Sequence, residues 1–221
     1  MEKIFKELCT GLFKELKHDE LLTLSFCGEN SQFIRLNNAS IRQTGLVDDA
    51  TLGLKFIANK RTCEGSITVS GNHDLDMARG ATEIQRMRSE AKEILEDPFL
   101  VIPTNAGSSC EVKAAASLGF DDAVDALLPV MEGVDLVGIF SNGRMYRGNA
   151  NSKGQHHWFE TESHCLDYSL VTSDHQMVKG TYAGTDWDQD AYEKYVTRSI
   201  KISVIESEAC AGRSWYVSYL V

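Results

Sequence analysis

Apolar and polar residues alternate along this chain with two different periods, and the places where the period changes mark its elements. In MEKIFKELCTGLFKELKHDE, Ile4, Phe5, Leu8, Leu12 and Leu16 form one stripe with lysines and glutamates between them, the pattern of an amphipathic helix. The period then falls to two, the mark of strands. Leu22, Leu24 and Phe26 alternate with Thr23 and Ser25, and SQFIRL and SIRQTG flank Asn37-Asn38. Asparagine tolerates positive φ, so that pair suits a tight hairpin. Ala50, Leu52, Leu54 and Phe56, then Cys63, Gly65, Ile67 and Val69, keep the same alternation. Four or five short strands are predicted up to this point, antiparallel and each with one wet face.

From Asp74 to Leu95 the set Met77, Ala81, Ile84, Met87, Ala91, Ile94 and Leu95 recurs at helical spacing. That predicts a helix roughly 33 Å long at ~1.5 Å per residue, capped by Asn72 or Asp74 and stopped at Asp97-Pro98. Residues 98–120 carry little pattern, with an exposed loop expected over 105–109. A short helix is expected over 121–131. VDLVGIF then reads as a central strand buried on both faces, and Ser141-Asn142-Gly143 as a hairpin returning through Arg144 to Arg147. The stretch 155–170 reads as a long strand that bends, with a turn near Ser173-Asp174 returning through Gln176 to Tyr182. A last helix, 191–206, is capped by Asp186 or Asp188 and carries Tyr192, Tyr195, Val196 and Ser199 on one side. The expected class is α+β, mostly antiparallel sheets packed against long amphipathic helices. Helix–strands–helix occurs twice, about 1–100 and 101–212, with no Pro/Gly linker between the blocks.

The 221 residues hold 22 Lys and Arg against 32 Asp and Glu, so 22 − 32 = −10, a mean field that repels polyphosphate. Nucleic-acid binding would need a local basic patch, and no such partner is expected. Arg79, Arg86, Arg88 and Lys92 cluster, but Glu83 and Glu90 follow Arg79 and Arg86 at i+4, so this reads as a solvated helix face. No uncharged apolar stretch approaches the ~18–20 residues needed to cross a bilayer, and the first helix lacks the unbroken apolar core of a signal peptide. A cytoplasmic protein without a membrane partner is expected. The six cysteines are never closer than eighteen residues, which excludes a CxxC pair and favours free thiols. No GxSxG, GxxxxGK[ST] or GxGxxG pattern follows a strand.

Two stretches concentrate chemistry. Gln155-His156-His157-Trp158-Phe159-Glu160-Thr161-Glu162-Ser163-His164-Cys165 is dense in imidazole and carboxylate. As a helix it would align His157, Glu160 and His164. As a strand it aligns His156, Glu160, Glu162 and His164, with the end imidazoles roughly 26 Å apart at ~3.3 Å per residue. In the strand only Glu162 and His164, with Glu160, could chelate, and a further strand would have to contribute; an ordinary polar strand face is the expectation. His18, His73 and His175 read as turn or cap residues. The second stretch is Asn149, Asn151, Ser152 and Gln155, in a bend between two strands. Their amides and hydroxyl either satisfy the bend's own backbone or bind the backbone of an extended peptide.

The order of segments also resembles a known family. FIRLNNASIRQTG, ATLGLKFI, RTCEGSITVSG and the helix running into LEDPFLVIP, followed by VDLVGIFSNGRMYRGNANSKGQHHWFETESHCLDYSL and MVKGTYAGTDWD, are similar to the amino-terminal domain of the TldD/PmbA family. The resemblance implies a TldD/PmbA-like amino-terminal domain over 1–212, with 213–221 the start of a following domain. It further implies a zinc metalloprotease acting on peptides and unfolded segments, paired as homodimers or as TldD with its paralogue; an older label is modulator of DNA gyrase. Zinc in active members is held by an HExxxH helix and a cysteine beyond the amino-terminal domain. No HExxxH occurs in this sequence, so no catalytic residue carries over, and no cofactor is expected in this chain. The expectation is a non-catalytic substrate-chamber or pairing domain, or a stand-alone peptide-binding or scaffolding module, with GRSWYVSYLV forming a strand that mediates self-association.

Overall fold

A computed structural model describes residues 1–172 and 176–210, with side chains as far as 203. Its elements in order are α1 (Glu2–Lys14), β1 (Glu20–Asn37), β2 (Ser40–Ala58), β3 (Arg61–Thr68), α2 (His73–Glu90), β4 (Ser108–Lys113), α3 (Ala123–Leu127), a 3-10 turn (Pro129–Met131), β5 (Asp135–Asn151), β6 (His156–Val171), β7 (Met177–Gly184) and α4 (Gln189–Cys210). This is an α+β fold. The sheet runs in the order β3-β2-β1-β5-β6-β4, and β7 also pairs with β6. β2–β3 and β6–β7 are antiparallel, while β4 lies parallel to the start of β6. The expected turn at Ser173-Asp174 and the strand at 214–221 lie outside the described residues.

The chain forms two compact units, each assembled from three separate stretches rather than from successive halves. The first takes Met1–Asn30, Asp48–Ala114 and Arg144–Thr161. In it α1 packs on α2 and α2 on β3, and Phe5, Leu8 and Leu12 join Leu22, Leu24, Phe26, Leu54, Phe56, Ile84, Met87 and Trp158 in one core. The helices approach through glycine: a Cβ on Gly80 would lie 2.6 Å from Leu12 Cδ2, so any side chain there would push α1 away. Phe5, Phe26 and Trp158 meet with ring centroids 5.5–5.8 Å apart, the tilted geometry aromatic quadrupoles favour.

The second unit takes Ser31–Val47, Ala115–Gly143 and the chain from Glu162 onward. Leu136, Phe140, Leu166, Tyr168 and Leu170 pack with Leu127, Met131, Tyr192 and Val196. The two buried tyrosines keep their hydroxyls bonded, Tyr192 to Leu127 O at 2.8 Å and Tyr168 to Ser199 Oγ at 2.8 Å. α4 packs on β7, and Asp188 Oδ1 caps it by accepting from Ala191 N.

Several sequence expectations need correction. The four or five short strands are three, two of them 18 and 19 residues long. The first hairpin turns at Asn38-Ala39, with φ of 50° and 48°, and a second turn of the same kind falls at Asn59-Lys60. Ser141-Asn142-Gly143 is not a hairpin: β5 runs straight through it. Gly143 takes φ 147° within the strand, and the buried Asn142 amide donates to Leu118 O at 2.7 Å, so tertiary bonding overrides the local turn preference. VDLVGIF is buried on one face only, since Val137 and Ile139 are 42% and 45% exposed; its apolar run reflects the strand preference of β-branched residues as much as burial. Helix α2 ends at Glu90 because Lys92 N and Glu93 N bond back three residues, to Ser89 O and Glu90 O. Arg61 Nε and Asp97 N then capture the departing chain through Ile94 O and Lys60 O. Residues 108–113, expected as loop in part, form β4.

The arginine cluster is not a uniformly solvated face either. Arg86 pairs with Glu83 and Glu90 as helical spacing suggests. Arg79 instead reaches Asp76, and Arg88 leaves the surface to form a bidentate pair with Glu20, Nε–Oε1 2.6 Å and Nη2–Oε2 2.7 Å.

Candidate functional site

The bend joining β5 to β6 carries the four polar residues singled out from sequence, all in the first unit. Asn151 Oδ1 accepts from Lys153 N and Gln155 N, and its Nδ2 donates to Thr104 O at 2.9 Å. Ser152 exchanges two bonds with Leu22: its amide donates to Leu22 O and its Oγ accepts from Leu22 N. Gln155 Nε2 donates to Asn149 Oδ1 at 2.7 Å. Gly154 sits at φ 101°, which glycine adopts without strain. These side chains therefore chiefly build the bend. One donor on Ser152 and the Oε1 acceptor of Gln155 remain without a partner among the described residues.

Asn151, Ser152 and Gln155 also line a cleft of about 350 Å³, with Lys6, Cys9, Thr10 and Phe13 of α1 opposite and His156 beside them. Burial lowers the His156 pKa, with Lys6 acting in the same direction, and the ring lies 5.3 Å from that of Phe5. Cys9 has its pKa pushed up to about 12 by burial, so it stays a thiol at neutral pH and is no nucleophile. The cleft can offer hydrogen bonds and an apolar wall; it holds no activated acid, base or nucleophile.

The acidic and imidazole residues of β6 adopt the strand alignment. Glu160, in the first unit, pairs with Arg144 at 3.4 Å. Glu162 and His164, in the second, differ in setting: Glu162 Oε2 accepts from Ser117 Oγ at 2.8 Å, while His164 is buried against Tyr182 and Trp187 at ring distances of 5.4 and 5.1 Å. Both His164 nitrogens lack a hydrogen-bond partner among the described residues, and burial lowers the imidazole pKa, opposed by nearby Asp186. Among the described residues no group of three or more His, Cys, Asp or Glu side chains is placed to hold a metal. His18 bonds Asp19 at 2.9 Å, His73 opens α2, and His175 lies outside the described residues.

Sequence reasoning missed two features. One is the aromatic enclosure of His164, because Tyr182 and Trp187 reach it from another strand and the loop after it. The other is the inward turn of Arg88, whose partner Glu20 is 68 residues away.

No family model matches the sequence, and no curated protein matches it. Solved structures do match. TldE from Thermococcus kodakarensis superposes with a TM-score of 0.65 at 13% identity, over 90% of this chain and 46% of its own. A proposed modulator of a DNA gyrase from Thermotoga maritima gives 0.62 at 13%, over 88% and 47%. A second such protein, from Bacteroides thetaiotaomicron, gives 0.60 at 14%, over 91% and 49%. This chain has their fold. It spans about half the length of the structures it matches, and at this identity the likeness concerns architecture alone.

Proposed function

We infer that this chain is the amino-terminal, non-catalytic substrate-chamber and pairing domain of a TldD/PmbA-type peptide-degrading metalloprotease or of its inactive paralogue. One observation carries the reading: nine-tenths of this chain superposes on TldE while covering under half of it, as a shared domain does. Three further points support it. The sequence lacks HExxxH, so zinc chemistry in such an assembly falls to residues outside it. The cleft beside the β5–β6 bend offers peptide-sized hydrogen-bonding groups without a nucleophile. The net charge of −10 favours a polypeptide over a nucleic-acid partner. Pairing is with a second copy or with a TldD/PmbA paralogue. The stand-alone peptide-binding module is the alternative.

The test incubates the purified chain, with and without added zinc, with a fluorescein-labelled unfolded polypeptide, and follows anisotropy and fragment release together. Binding without cleavage is expected, with light scattering reporting a dimer or a complex with the paralogue. Zinc-dependent release of fragments by the chain alone would overturn the non-catalytic assignment. Binding by a strict monomer that ignores the paralogue would favour the stand-alone module.

A further inference from the structure

The first unit contains a second concavity, remote in composition from the β5–β6 cleft. It encloses about 390 Å³ and is lined by Lys17, Arg61, Arg88 and Lys92, with Glu20 the single acid on its wall. Four cations minus one carboxylate leave +3 on the lining. Adding Glu96, which pairs with Arg61 at 3.2 Å, and Glu15, whose charge acts on Arg88, still leaves +1. That is a local reversal of sign in a chain of net charge −10.

The cations divide by rigidity. Arg88 is nine-tenths buried and fixed: Nε and Nη2 grip Glu20, and Nη2 also donates to Glu15 O at 2.9 Å. Its third nitrogen, Nη1, is buried and has no partner among the described residues. A guanidinium nitrogen in that position costs free energy unless an acceptor reaches it, and every donor of an arginine wants an oxygen. Arg61 is likewise held, by Ile94 O, Asn59 O and Glu96. Lys17 and Lys92 are exposed and make no salt bridge among the described residues, so their ammonium groups are available to close over a ligand as mobile point charges.

We propose that this concavity binds a phosphate group, as free phosphate or as the monoester of a small molecule, with Arg88 Nη1 as fixed donor and Lys17 and Lys92 as closing cations. A phosphate dianion presents three acceptor oxygens in different directions, which suits one rigid donor and separate ammonium groups better than a planar carboxylate does. The volume lies within the range of small-molecule sites and leaves room for an organic portion.

Calorimetric titration of the 221-residue chain at low ionic strength, with inorganic phosphate, phenyl phosphate and benzoate as probes, tests this. Saturable one-site binding of a phosphate probe is expected, at least about tenfold tighter than benzoate. Tighter binding of phenyl phosphate than of inorganic phosphate identifies a monoester site, and equal binding a site for the free ion. The pair Lys17→Ala and Lys92→Ala should weaken binding about tenfold with an unchanged melting temperature, because neither lysine is part of the packed core. The pair Lys194→Ala and Lys201→Ala removes the same charge in the second unit and should leave binding intact. No saturable heat up to about 10 mM phosphate, equal affinity for benzoate, or equal weakening by both lysine pairs would overturn the assignment.

Discussion

His164 offers the sharpest test of how the second unit is held together. Its ring is buried against Tyr182 and Trp187 with neither nitrogen bonded among the described residues, and an unsatisfied buried polar group costs about 1–3 kcal/mol. His164→Leu removes both nitrogens at nearly constant volume. It also removes the two ring contacts, worth about 0.5–1.5 kcal/mol each. The balance at pH 7.5 is a gain of about 1 kcal/mol, or roughly 2–4 °C in Tm for a chain of this size. The dependence on pH is the stronger signature. Burial lowers the folded-state pKa of this imidazole, so above its ordinary value of about 6.5 both states are neutral and the native packing is intact. As pH falls below that value the unfolded chain takes up a proton that the folded ring resists. Stability then falls by up to about 1.4 kcal/mol per pH unit until the folded pKa is reached. His156 shifts in the same direction, so the informative quantity is the difference between parent and variant. Thermal melts of both at pH 7.5 and 5.5 should show the advantage of His164→Leu growing on acidification. An equal difference at the two pH values, or a variant less stable than the parent by more than about 1 kcal/mol at pH 7.5, would show that the ring nitrogens are engaged and refute the reasoning.

Asp76 is fully buried, and its carboxylate accepts from Ser70 N, Ser70 Oγ and Gly71 N at the start of α2; Asp76→Ala should cost about 3–5 kcal/mol by urea denaturation, more than Asp76→Asn. Lys60 is exposed at φ 59° in the β2–β3 turn, so Lys60→Gly should stabilise by about 1 kcal/mol, read as a rise in the urea midpoint at constant slope. Cys27 and Cys110 are exposed while Cys9 and Cys63 are buried, with burial raising the pKa of both buried thiols. A thiol reagent at pH 7.5 should therefore label Cys27 and Cys110 first and reach Cys9 and Cys63 only on addition of denaturant.

Much of the secondary structure was legible in the chain, because a helix stripe and a strand alternation are local consequences of burying one face. The stripe Phe5, Leu8, Leu12 and the alternation Leu22, Leu24, Phe26 are buried as their spacing requires, and Asn72 caps α2 through Leu75 N. The polar bend of Asn149, Asn151, Ser152 and Gln155 was legible as a bend for the same reason: its hydrogen bonds close within a few residues, apart from those to Leu22 and Thr104. What tertiary structure decided were the cases in which a distant partner outweighs a local preference. Ser141-Asn142-Gly143 carries turn residues yet stays in a strand, since flanking strands and Leu118 O bind its backbone and amide. Helix α2 stops short of its apolar pattern where Arg61 and Lys60 capture the chain. Arg88 looks like one of several helix-surface cations until Glu20, far away in sequence, draws it inward and leaves one nitrogen facing no acceptor. Periodicity reports which face of an element is covered, a property of neighbours three or four residues apart. It is silent on what covers that face, because that depends on which segments the sheet order brings together.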